Sequence, residues 1–187
     1  GGTVLFGTVS ILISLSIVPL LLTSHGAPDY EVPERMPLRR LFGISPMAVT
    51  GAFLGGGAMG CLFGTAPLYG LALGLERPAV AGIAVAMTLA GAAAQYPVGY
   101  VSDRIDRRGA VMGLSVIGVA LVAQSLLMAG EAALSLRVGL MAAVCVPVYS
   151  VCLAHANDLL TRAQVVSAGG AMAFMMNAGI FVGIFSG

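Results

Sequence analysis

The charged residues of this chain stand in a few short clusters separated by long uncharged intervals, the longest being the 35 residues between Arg40 and Glu76. Each interval is long enough to cross a hydrocarbon core, which takes about 20 consecutive apolar residues in a helix. The chain is 58% hydrophobic and 9% charged, against roughly 25% charged in an ordinary soluble domain. That is too little polar material to cover a globule in water, so lipid has to solvate most of the surface. Six intervals qualify as spans, at roughly 1–24, 45–70, 79–101, 109–129, 133–155 and 164–187. Membrane strands would alternate apolar and polar residues over about 10 positions, and VLFGTVSILISLSIVPLLL does not alternate. The expected fold is an all-α membrane protein, a polytopic bundle of transmembrane helices.

Local chemistry marks the span ends. Ser45-Pro46 offers an N-cap followed by proline at the first helical position, and Arg77-Pro78 reads the same way. Thr161 to Gln164 has the form of a capping box at the start of the last span. Within the second span, Gly51, Gly55, Gly56, Gly57, Gly60 and Gly64 recur at helical spacing, which lets another helix approach closely. Gly55 to Gly60 also satisfies the G-x-G-x-x-G pattern of dinucleotide turns. It lies inside an uncharged run with no strand before it, so helix packing is the better reading. Pro67, Pro97 and Pro147 fall inside or near the ends of spans, where proline bends a helix or frees a carbonyl.

Orientation follows from the arginines, since short cytoplasmic loops are enriched in basic residues. The first, third and fifth loops carry Arg35, Arg39, Arg40, Arg104, Arg107, Arg108 and Arg162, while the second and fourth carry Arg77 and Arg137. The odd-numbered loops are therefore expected in the cytoplasm. The first loop mixes Asp29, Glu31 and Glu34 with its arginines and prolines and reads as a linker. The chain starts at Gly1 within one apolar stretch and stops at Gly187 within another, the expectation for a fragment. No basic segment precedes the first run, so it is not read as a signal peptide.

The third loop and its flanks read GYVSDRIDRR, Gly99 to Arg108. This stretch resembles the signature loop of the major facilitator superfamily, in which a glycine, an aspartate-arginine pair and a terminal basic pair join two helices on the cytoplasmic side. Asp106 stands where the family often has glycine. If this is the family's second copy of the motif, the resemblance implies helices six to eleven of twelve. Residues 1–24 would be the last helix of the N-terminal bundle, 25–44 the cytoplasmic inter-bundle linker, and 45–187 an incomplete C-terminal bundle of five spans. The run PVYSVCLAHANDLL, Pro147 to Leu160, is similar to the tenth helix of the YcaD-like branch. Membership implies a monomeric secondary transporter of a small solute in the bacterial cytoplasmic (inner) membrane, working with the N-terminal bundle of the same chain and needing no cofactor.

Physical chemistry gives the loop a task. Asp103 can point its carboxylate at the positive N-terminal end of a neighbouring helix. Arg104, Arg107 and Arg108 can pair with acids or with helix C-terminal carbonyls. Such a latch would favour one helix arrangement over another, and the family pattern implies that it grips the fifth helix. The plainer reading is that these charges only obey the orientation rule.

No Asp, Glu, Lys or Arg falls in the interior of a span, and intramembrane ionisable groups are where proton coupling usually resides. His155 and Asp158, near the cytoplasmic end of the fifth span, are the candidates for gating or proton-linked work. His155 can titrate near neutral pH, against the plainer reading of a wetted residue at a helix end. Gln95, Gln124, Tyr149 and Asn177 are the candidates for a substrate pathway, Asn177 foremost because it falls near mid-membrane. For each the plainer reading is a hydrogen bond between helices.

Cys61, Cys145 and Cys152 lie in apolar runs with no disulfide framework, and the 10 methionines are scattered filler rather than a metal site. No Cys/His cluster has metal-ligand spacing, and no nucleophile-base pair is evident. Net charge is +1, which offers nucleic acid no footprint. A membrane enzyme acting on lipid-linked substrates would need a cluster such as Asp103, Asp106, Asp158 and His155 at one face. A scaffold or sensor would need only the glycine-lined helices. The resemblance favours a transporter over both.

Overall fold

The computed structural model describes residues 2–22, 34–127 and 134–186, as seven helices. The acids Asp29 and Glu31 of the first loop, the first part of the linker and the fourth loop lie outside them. Among the described residues there is no strand, and the chain divides into two compact units, Gly1–Val32 and Pro33–Gly187.

The first unit is α1, Gly2–Leu22, with Pro19 inside it and an apolar stretch over Phe6–Pro19. Its hydroxyls bond within the helix, Thr8 Oγ1 to the Val4 carbonyl at 2.9 Å and Ser16 Oγ to that of Ile13 at 2.7 Å. Back-bonding of this kind leaves neither hydroxyl proton unpaired in an apolar solvent.

The second unit holds α2 (Leu38–Ile44), α3 (Pro46–Ala72), α4 (Arg77–Ser102), α5 (Arg107–Leu127), α6 (Leu134–Asp158) and α7 (Arg162–Ser186). The last five are each long and apolar enough to cross a membrane, and all lie within a few residues of the intervals expected from charge spacing. Large apolar side chains such as Leu89, Val116, Leu126, Phe174 and Phe181 stand exposed, as a lipid-facing surface requires.

Small residues decide which helices meet. A Cβ placed on Gly56 would strike the backbone carbonyl of Met176, and one on Gly60 that of Ile180. The reverse also holds, since a Cβ on Gly179 would strike the Phe53 carbonyl and one on Gly183 that of Gly57. So α3 and α7 run parallel, backbone against backbone, each contributing a G-x-x-x-G pair. Gly51 and Gly55 meet Cys152 and Val148, which sets α6 antiparallel to α3. One apolar cluster, with Leu41, Val49, Ala52, Cys152, Ala168 and Met172, fills the end of the unit where α3 begins. A second, with Ile83, Met87, Leu134 and Val138, fills the other.

The caps divide. Ser45 is buried and its Oγ accepts the Ala48 N–H at 3.3 Å, as expected. In α4 the helix already includes Arg77, so the cap position falls to Glu76, whose side chain makes no capping bond. At α7, Gln164 Oε1 accepts the Thr161 N–H at 3.3 Å, the glutamine half of a capping box. The first loop is not wholly irregular, for α2 packs Leu41 at 0% exposure into the core.

Candidate functional site

The loop between α4 and α5 sits at the arginine-bearing end of the second unit. Helix α4 stops at Ser102, whose Oγ bonds back to the Gly99 carbonyl at 3.1 Å, and Asp103 takes the C-cap position. Asp106 then opens α5, its carbonyl accepting the Ala110 N–H at 3.1 Å and its Oδ1 the Arg108 N–H at 3.3 Å. This explains the departure from glycine, because an aspartate that caps the next helix has a task glycine cannot perform. No non-glycine residue among those described has a positive φ, so the turn does not need glycine at 106.

Arg107 is the centre of the charge arrangement. Its Nη1 lies 3.1 Å from Asp103 Oδ1 and its Nε donates to Asp158 Oδ2 at 2.5 Å. The guanidinium thus joins the loop to the last residue of α6. Arg107 is 20% exposed and Asp158 53%, so the bond is partly screened from water on one side only. Arg104 turns back onto its own helix, donating from Nη1 to the Tyr100 carbonyl at 3.0 Å with its guanidinium 3.3 Å over the Tyr100 ring. That satisfies a C-terminal carbonyl of α4. Asp103 is engaged by Arg107, the first residue of the neighbouring helix α5.

Behind the loop a cavity of about 120 Å³ is bordered by Gln95, Gly99, Ser102, Asp103, Arg107 and Ser150, among others. Ser150 Oγ donates to Gln95 Oε1 at 3.3 Å across it, linking α4 to α6. A second ionic cluster lies at the same end. Glu34 accepts Arg40 Nη1 at 2.6 Å and Gln164 Nε2 at 2.7 Å, and its N–H donates to the Ala163 carbonyl at 3.0 Å. The Gln164 amide first, then the Arg40 guanidinium, hold the Glu34 carboxyl below its ordinary value of 4.5. The α6–α7 turn is therefore held from two sides, at Asp158 by Arg107 and at Gln164 by Glu34.

These contacts stand beside a sequence relationship. Over 175 residues, 92% of this chain, the sequence is 26% identical to an uncharacterized MFS-type transporter of Enterobacter sp. (strain 638). This chain is therefore similar in sequence to an MFS-type transporter, and five of its helices are long and apolar enough to cross a membrane. It spans 45% of the length of that relative. No family model matches it, and no solved structure gives a significant match.

The other expected residues are scattered. His155 is buried at 8% exposure one turn before Asp158, and its Nε2 has no hydrogen-bond partner among the described residues. Asn177 is exposed and its amide donates to the Ala173 carbonyl of its own helix at 2.8 Å. Tyr149 is half-buried against the cluster around Cys152, and Gln124 is exposed on α5. Of the substrate-pathway set, the structure brings only Gln95 into contact with the loop cavity. Sequence reasoning did not find the Glu34 cluster, because Gln164 lies 130 residues away from Glu34. Among the described residues no group of three or more His, Cys, Asp or Glu could hold a metal.

Proposed function

We propose that this chain is part of a secondary active transporter that moves a small solute across the bacterial cytoplasmic membrane by alternating access, its odd-numbered loops in the cytoplasm. The observation that carries this reading is Arg107 in GYVSDRIDRR, bound at once to Asp103 and Asp158. A charged tie between a loop and a helix end is a bistable contact, made in one arrangement of the helices and broken in another.

In this reading Gly99, Asp103, Arg104, Arg107 and Arg108 form the latch, with Arg107 as its moving part. His155 and Asp158 serve gating or proton-linked work, supported by the buried Nε2 of His155, which has no hydrogen-bond partner among the described residues. Gln95 belongs to the solute pathway with Gln124, Tyr149 and Asn177. The full protein works as a monomer, supplying a second helical bundle whose rocking against α3–α7 exposes a central site to each side in turn. Vesicles containing the full-length protein, assayed with a panel of small solutes, test this directly. Solute-dependent flux above empty vesicles is expected, and its absence across the panel would defeat the reading.

A further inference from the structure

Helix α2 has the sequence LRRLFGI and presents two different sides. Leu41 is fully buried, whereas Arg39 and Phe42, three residues apart on one face, remain exposed. The two arginines are not equivalent. Arg40 is engaged by Glu34, while Arg39 has no ion pair among the described residues. Arg39 stands at a groove of about 530 Å³ between α2, α3 and α7, whose walls include Phe42, Val49, Phe53, Leu54 and Met175. Apart from Arg39 and Thr50 every lining residue is apolar, and Thr50 bonds the Pro46 carbonyl of its own helix at 2.8 Å.

A guanidinium with no ion pair among the described residues, at the edge of an apolar trough, complements a molecule with an anionic head and a hydrocarbon tail. The place in the fold selects the source. The groove flanks the N-terminal turns of the spanning helix α3 at the arginine-bearing end, the level at which headgroups meet the hydrocarbon core. We propose that the groove binds an anionic membrane phospholipid, its phosphate on Arg39 and an acyl chain along Phe42, Phe53 and Leu54. Arginine and phosphate form charge-assisted hydrogen bonds, and basic pockets between spanning helices on the cytoplasmic side suit anionic headgroups. This proposal needs the chain to be in a bilayer but does not need it to transport.

The test uses the full-length protein in detergent, with native mass spectrometry of added phosphatidylglycerol and phosphatidylcholine of identical acyl chains. Phosphatidylglycerol is expected to be retained in preference, and Arg39→Gln to weaken its binding about fivefold, the worth of one arginine near a charged surface. Arg162→Gln makes the same charge change at the same end but away from the groove, and should leave binding unchanged. Leu54→Trp fills the trough and should lower retention of both lipids. Equal retention of the two lipids by the unmodified protein, or equal losses in Arg39→Gln and Arg162→Gln, would overturn the proposal. Undiminished retention in Leu54→Trp would also overturn it, since another segment of the full-length chain would then fill the groove.

Discussion

Arg107 and Asp158 meet at 2.5 Å across 51 residues of sequence, tying the start of α5 to the end of α6. Exposed ion pairs contribute about 0–1 kcal/mol to stability, so this contact is poorly suited to hold the fold together. It is well suited to bias a choice between two arrangements, where 1.4 kcal/mol shifts a population tenfold.

Asp158→Asn in the full-length protein should therefore change the transport rate severalfold while leaving the amount of protein in the membrane unaltered. Initial rates in vesicles, normalised to protein content, read this out. Unchanged rates would make the pair an ornament of the orientation rule.

Replacement of Gly56 or Gly179 by valine should prevent assembly of α3 on α7, because the new side chain meets backbone and not a yielding side chain. Overpacking costs about 1–3 kcal/mol where neighbours can adjust, and a backbone carbonyl adjusts less. A loss of at least about 3 kcal/mol is expected, read as a large drop in melting temperature in detergent. Gly113, with nothing within 4 Å of its would-be Cβ, is the control, and Gly113→Ala should be neutral.

Ser45→Ala removes the oxygen that accepts the Ala48 N–H at the head of α3. Loss of an N-cap costs about 1 kcal/mol. Ser45→Asp should recover part of it, and thermal melting of the three proteins orders them.

Glu34 predicts an acid sensitivity with a definite sign. Its folded carboxyl titrates below 4.5 because Gln164 and Arg40 favour the charged form. The stabilisation is present above the ordinary carboxylate value and fades as pH falls through the lowered one. The stability difference between the unmodified protein and Glu34→Gln should be constant from about pH 5.5 upward and shrink in more acid solution. A difference that grows on acidification would contradict the assignment.

The spans were readable in the sequence because a charge is costly in hydrocarbon and cheap in a loop, so Arg77, Arg107 and Arg162 mark helix starts wherever they occur. Ser45 was readable because capping is local. The glycines of α3 announced a close neighbour, yet nothing in GGGAMG names α7. That identity came from Gly179 and Gly183, over a hundred residues away. The loop charges Asp103, Arg104, Arg107 and Arg108 were legible as a set, but the contact between Arg107 and Asp158 was not. Asp103 binds Arg107, the first residue of α5, and Arg107 in turn reaches Asp158. Helix α2 escaped notice because seven residues are too few to show a period beside two adjacent charges.

The most direct test is the initial rate of solute flux into vesicles containing the full-length protein, compared with Asp103→Asn at equal protein density. The account predicts measurable flux in the unmodified protein and a clearly slower rate in the variant, which has lost one of the two acids on Arg107. Equal rates in the two proteins would contradict it.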